Sequence, residues 1–271
     1  MSEAEKKNTS LVSSRSKSLI TRSSGLAKRG LELLSSQQER VIHFPPDRSM
    51  GMLSVLDLDN PDSEMELEEI RKAQGNITVP MGKYLSLTVS DEAVTDLSYL
   101  SKLKPNDLQS LHLPADISDA ELIHIQGLTE LQELELWRAR FTDAGLVNLQ
   151  GLTGLRSLNL SHNQITDAGL AYLQKLTKLE SLDLSKTQIT DAGLVNLRPL
   201  PELSRLGLVY NRIAGEGLVH LRGLTRLKVL RLGRTKITDA GLVNLQGLTG
   251  LRSLDLSHNQ ITDAGLAYLK N

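Results

Sequence analysis

A 24-residue unit repeats through the second half of this chain and limits what it can fold into. From Leu128 the residues read L-T-x-L-x-x-L-x-L-x-x-x-x-I-T-D-A-G-L-x-x-L-x-x, then begin again. Leu131, Leu155, Leu179, Leu203, Leu227 and Leu251 fall 24 residues apart. A fixed period in this range means a solenoid, because one unit cannot bury its apolar face alone and must bury it against its neighbours. Such an array offers a long curved surface and no deep cleft by default. Binding is therefore a better first expectation than catalysis.

Within each unit the pattern predicts structure directly. Leu-x-Leu, as in Leu134-Glu135-Leu136 and Leu158-Asn159-Leu160, alternates in and out and predicts a short strand. Ile-Thr-Asp-Ala-Gly-Leu follows. Threonine suits an N-cap, and the aspartate after it suits the helix dipole. Leu-x-x-Leu, such as Leu170 and Leu173, then predicts a short convex helix. The strands should stack into a parallel sheet on the inner face, with the helices outside.

These residues resemble leucine-rich repeats, with L-x-x-L-x-L-x-x-N/T-x-I-T-D-A-G-L at Leu155 to Leu170 and Leu179 to Leu194. The ITDAGL form is similar to large bacterial sets of planctomycete type. The resemblance covers Leu108 to Asn271 strongly and Leu85 to Leu103 weakly. It implies an α/β leucine-rich-repeat solenoid and says nearly nothing of the partner. The asparagine-ladder position of that family falls at Asn163, Asn211 and Asn259. Thr187 and Thr235 replace it in alternate repeats and can still bond the turn backbone. Ala139 cannot, so an interruption is expected there.

The chain before the repeats divides in two. Residues 1–40 are rich in serine and scattered basic residues, and are expected to be mostly disordered. Within them Leu19, Ile20, Leu26, Leu31, Leu33 and Leu34 could line one face of a helix around Ser18 to Ser35. That helix would pack on the body or fray as a linker; the sharper alternative is a basic amphipathic helix touching a membrane or partner. Residues 41–104 read as a small β-rich N-terminal cap with a degenerate first repeat. A cap is physically required, because the first repeat would otherwise expose its leucines and an open strand edge. Strands are expected at Val41 to Phe44, Gly51 to Leu56, Ile77 to Val79 and Tyr84 to Val89. A hairpin turn is expected at Pro80 to Lys83, and a loop leading into a short helix over Asp57 to Glu69. Residues 105–271 form the array.

Composition excludes several functions. The net charge of -1 over 271 residues argues against strong nucleic-acid binding. Aromatic residues are also too few to stack bases along a strand. The absence of cysteine removes disulfides, thiolate metal sites and cysteine nucleophiles, and with them a thioester-forming ligase. No apolar run approaches the about 18 residues that a membrane span needs. Arg15, Lys17, Arg22, Lys28 and Arg29 break any signal-peptide core. The expected location is the cytoplasm. A transit peptide over Asn8 to Gly30 is the alternative, opposed by Glu3 and Glu5.

Two rows of side chains are candidates for function. Asp143, Asp167, Asp191, Asp239 and Asp263 recur with the repeat and could hold calcium. Capping of their own helices explains each of them, so no metal and no cofactor is expected. On that reading Asp191→Ala costs about 1 kcal/mol or less. Leu182→Ala, which opens a core cavity, costs about 2–5 kcal/mol. The second row lies two residues past the second strand leucine: Arg138, His162, Lys186, Tyr210, Arg234 and His258. Every member is basic, aromatic or histidine. Beside it stands Trp137, the one tryptophan, at a position expected to face solvent. Arg205 and Arg231 join Arg234 in making the fourth and fifth full repeats the most basic. Exposed tryptophan and arginine are typical anchors of interfaces.

The expected function is a protein- or peptide-binding scaffold acting through its concave face on acidic or polar partners. An enzyme regulator such as a GTPase-activating surface, or a host-directed effector-like protein, is the alternative. No catalytic set is legible: Ser161-His162 are neighbours without a third group, and recur as Ser257-His258. The last strand, near Leu254 to Leu256, should keep a free edge. A weak homodimer through the C-terminal repeat is expected from it. Finally, Thr142 to Leu173 and Thr238 to Leu269 are identical except for Asn159 against Asp255, which points to a block duplication.

Overall fold

The computed structural model describes residues 39–57, 69–79, 83–115 and 117–269. The helix expected around Ser18 to Ser35 and nearly all of the acidic stretch lie outside these ranges.

The periodic leucines build one continuous sheet. β5 (Lys83–Val89), β6 (Ser110–His112), β7 (Glu133–Glu135), β8 (Ser157–Asn159), β9 (Ser181–Asp183), β10 (Arg205–Gly207), β11 (Val229–Arg231) and β12 (Ser253–Asp255) stack in order and in parallel. Each pair is in register at its leucine, as in Leu158 beside Leu182 and Leu182 beside Leu206. The strands begin one residue earlier than Leu-x-Leu predicts. The second leucine still belongs to the ladder: the Leu136 N–H donates to Asn159 O at 2.9 Å.

The convex side is lined by 3-10 turns, such as Asp191–Leu197, and four-residue α-turns, such as Asp143–Leu146. Between sheet and turns lies a strip of leucines, with Leu131, Leu155, Leu179 and Leu203 fully buried. Full burial of one such side chain stabilises by about 1.5–3 kcal/mol. Burial loosens at the last strand, where Leu251, Leu254 and Leu256 are only partly covered.

The cap is β-rich as expected but is paired differently. β2 (Gly51–Asp57) runs antiparallel to β5 and so continues the sheet beyond the first repeat. β3 (Glu69–Lys72), a strand not expected from the sequence, pairs antiparallel with β2. β4 (Asn76–Val79) does not form a hairpin with β5. It pairs with β1 (Arg40–His43) in a separate two-stranded sheet. The degenerate first repeat is a true one structurally, since β5 is parallel to β6 and is followed by 3-10 turns at Asp91–Thr95 and Ser98–Lys102. Gln109 ties cap to array: its side-chain oxygen accepts from Leu85 N–H at 2.9 Å and from the Arg40 guanidinium at 3.1 Å.

Two polar ladders cross the repeats in opposite directions. The asparagine ladder reaches back. Asn163 Oδ1 accepts from Ala139 N–H and Phe141 N–H of the preceding repeat, both at 3.0 Å. Its Nδ2 donates to Leu136 O at 2.7 Å, Leu160 O at 3.0 Å and Ser161 O at 3.3 Å. Asn163 thus bonds the backbone around Ala139, but the side-chain rung that Thr187 and Thr235 supply to the next asparagine is missing there, as expected. Thr187 donates to Leu184 O at 2.7 Å or Asn211 Oδ1 at 2.8 Å, as expected of a threonine replacement.

The aspartate ladder reaches forward, which corrects the own-helix reading. Thr166 N–H and hydroxyl donate to Asp143 of the repeat before, at 2.9 and 2.5 Å. Thr190 does the same to Asp167, and Thr262 to Asp239. The threonine caps its own turn as predicted: Thr190 Oγ1 accepts from Ala192 N–H at 3.3 Å. Asp191 carries the largest share, accepting from Ala214, Gly215 and Gly217 N–H at 2.7, 3.0 and 2.6 Å. Asp191→Ala is therefore expected to cost about 2–4 kcal/mol, because three amides lose a charged acceptor. Urea denaturation of the variant beside Asp263→Ala checks this. Equal, small losses in both would return the row to simple dipole compensation.

Candidate binding face

The row predicted from sequence is a row of turns. Each strand ends as the chain turns towards the convex side, and the turning residue adopts left-handed backbone. This holds for Arg138, His162, Lys186, Tyr210, Arg234 and His258, with φ of 58°, 61°, 54°, 59°, 55° and 55°. The turn is held by the next repeat, as where Lys186 N–H donates to Val209 O at 2.7 Å and Arg234 N–H to Ser257 O at 2.8 Å. Left-handed backbone splays these side chains along the rim of the concave sheet. All are exposed except His162, which is half-buried.

The rim is organised as two stacks. In the first, the Arg138 guanidinium lies 4.6 Å from the Trp137 ring centre, and His162 meets the same ring edge-on at 5.7 Å. Trp137 is consequently half-buried rather than open to solvent. Partial burial, together with the Lys186 and Arg138 charges, holds the His162 imidazole below its ordinary value. In the second, Tyr210 lies between Lys186 Nζ at 5.0 Å and the Arg234 guanidinium at 5.1 Å. Arg234 also shares a 3.2 Å hydrogen bond with His258. Cations stacked on aromatic faces in this way are held in place without losing their charge.

Arg205 and Arg231 belong instead to the floor of the concave face. They line a shallow trough with Glu133, Glu135, Asn159 and Asp183. Arg205 Nε points at Ser181 Oγ, 3.4 Å away. Asn159 Nδ2 donates to Glu135 at 2.7 Å, and Ser185 N–H donates to Asp183 at 2.8 Å. The Ser161 hydroxyl donates to Asn159 at 2.7 Å, so it is held away from the role of a nucleophile beside His162.

A polar cluster at the cap end of the floor was not legible in the sequence. His112 shares a 3.0 Å hydrogen bond with Ser110, and Ser110 and Tyr84 both bond to Glu133. Burial pushes the Glu133 carboxyl up, against those hydrogen bonds, and pushes the His112 imidazole down to about 4. Serine, histidine and glutamate here do not form a nucleophilic triad. The glutamate bonds the serine rather than the far nitrogen of the histidine, and Ser110 is 1% exposed. Only the strand register, which sets Ser110 beside Glu133 and His112 beside Glu135, could have revealed the cluster.

His112 is expected to weaken the array in acid, opposed in part by Glu133, whose raised carboxyl favours the folded state as pH falls. The folded value of His112 lies below the ordinary 6.5, so at this group the folded state binds fewer protons than the unfolded chain between the two. The stability it contributes is complete above pH about 6.5 and is lost as pH falls towards about 4. The expected loss from this one group is about 2 kcal/mol, less than full linkage because solvent reaches part of the ring. Denaturant midpoints between pH 7 and 4 measure it. His112→Asn should flatten that slope, and an unchanged slope would assign the acid sensitivity elsewhere.

Among the described residues, no group of three or more His, Asp or Glu side chains is placed to hold a metal ion, and no helix is long and apolar enough to cross a membrane. The parallel sheet, the stacked leucines and the two side-chain ladders define an α/β leucine-rich-repeat solenoid. In agreement, residues 129–189 and 201–261 match the family described as Leucine rich repeat. Among solved structures the chain is similar to an internalin (inlF) from Listeria monocytogenes str. 4b F2365. The identity is 26%, over 65% of this chain and 68% of that one, with a TM-score of 0.40. No curated protein matches the chain.

Proposed function

We propose that the chain is a non-enzymatic protein- or peptide-binding module whose partner, polar or acidic in part, lies on the concave face against the rim. One observation carries this reading. Left-handed backbone costs a non-glycine side chain on the order of 1 kcal/mol. Glycine or asparagine would relieve it, yet the six rim positions hold Arg138, His162, Lys186, Tyr210, Arg234 and His258. Side chains held against backbone preference, each basic, aromatic or histidine and nearly all exposed, are what a recognition surface needs. Trp137 and Arg234 anchor the two stacks, and tryptophan and arginine dominate the energetics of interfaces. Affinity capture with the wild type and with Trp137→Ala/Arg234→Ala tests the reading. The double variant should lose the captured protein while keeping its denaturation midpoint. Capture that survives in the double variant would place the interface elsewhere.

A further inference from the structure

The trough on the concave floor is acidic over β7 to β9, basic over β10 and β11, and bounded beyond Arg231 by Asp255 of β12, while the rim stays basic or aromatic throughout. Over β7 to β9 the floor presents Glu135 and Asp183, with Glu133 behind them. Over β10 and β11 it presents Arg205 and Arg231, next to Arg234 on the rim. Gly207 sits between the two signs. A side chain there would collide with Asp183, whose carboxylate oxygen would lie 2.6 Å from an added Cβ. The acidic side of the trough is therefore kept open by the absence of a side chain on β10. At the basic side, Arg231 and Arg234 are both exposed.

A uniformly acidic guest does not fit this floor. Its carboxylates would meet the arginines at one end and would lie over Glu135 and Asp183 at the other, and like charges at an interface are strongly disfavoured. A uniformly basic guest meets the reverse conflict, made worse by Lys186 and Arg138 on the rim. The strands are about 4.8 Å apart, so the centre of the acidic part and β11 are separated by about 14 Å, or about four residues of extended chain.

We propose that the trough selects an extended peptide of mixed charge, with a lysine or arginine of the guest between Glu135 and Asp183 and an aspartate or glutamate against Arg231 and Arg234, about four residues away. This rests on the peptide-binding reading above and adds a charge pattern to it. The sign change on the floor sets the pattern, and the rim stacks flank the guest. Reversing one charge of the guest removes one attraction and adds one repulsion, so the array discriminates by pattern rather than by total charge.

Selection of a displayed library of random linear peptides against the full chain tests this. Enriched sequences should carry both a basic and an acidic residue at this separation. For the best of them, measured by fluorescence anisotropy, replacing the basic residue by alanine should weaken binding to the wild type about tenfold. The same replacement should weaken binding to Asp183→Asn by clearly less, because that variant keeps its backbone hydrogen bond but leaves only Glu135 to meet the guest's charge. Replacing the acidic residue should act in the same way through Arg231→Ala. If the enriched peptides are acidic only, and Asp183→Asn binds them equally or better, the mixed-charge pattern is wrong while peptide binding stands. If nothing is enriched over an unrelated folded protein, both readings fall.

Discussion

Replacing Asn163 by alanine is expected to lower the unfolding free energy by about 3–5 kcal/mol, more than any other polar substitution on the sheet side. Asn163 is 5% exposed and makes five hydrogen bonds, three of them to the preceding repeat. Alanine leaves the Ala139 and Phe141 amides and the Leu136 and Leu160 carbonyls without their partner, in a place where water cannot fully replace it. Thr187→Val removes one hydroxyl at the equivalent position of the next repeat, so it should cost only about 1 kcal/mol. Guanidinium denaturation of both variants gives the comparison. Equal losses would mean that the asparagine fills space and is not a bridge.

Gly217→Ala should be nearly as damaging for a different reason. A Cβ on Gly217 would lie 2.6 Å from Asp191 Cα and 2.7 Å from its carbonyl carbon, which belong to backbone and cannot rotate away. The shift would also pull the Gly217 amide from Asp191 Oδ1, 2.6 Å away. The expected cost is about 3 kcal/mol. An array with nearest-neighbour coupling should feel this at one joint, so the repeats after Gly217 should unfold in a separate, earlier transition. Gly223→Ala, where an added Cβ meets nothing within 4 Å, is the matched control. A single transition with a loss equal to that of the control would show that the joint has room to adjust.

The architecture was legible because it is written in period and burial. Leucines 24 residues apart must occupy equivalent places, and Leu131 to Leu203 are fully buried as that requires. The need for a cap followed from the same reasoning. Its strand pairing did not, because β1 with β4 and β2 with β5 are pairings between segments distant in sequence, which no local pattern encodes. The aspartates were misassigned for a related reason. Asp143 is next to Thr142 in sequence, but the stacking of repeats brings Thr166 to it instead, 23 residues on. The rim residues were found by their offset from the leucines. Their left-handed backbone was hidden because none is glycine, the residue that usually signals it. The floor cluster around Ser110 and Glu133 was hidden by the 23-residue spacing of the first repeat, which shifts its register against the later ones.

The duplicated block shows how far a repeat can be described by its own residues. Thr142 and Thr238 open the same stretch of sequence, yet the Thr142 side chain accepts the Ala144 amide and the Thr238 side chain caps nothing. The difference comes from the repeat before. Asp119 bonds Thr142, whereas Ala214-Gly215-Glu216 offers no carboxylate at the matching place, and Gly215, at φ 117°, packs its backbone against Gly241. Copying a block therefore copies its interior but not its seams. Each duplication or loss rewrites the junctions on either side. In an array of this kind, inherited variation in rigidity concentrates at block borders, where a comparison of the blocks alone would not detect it.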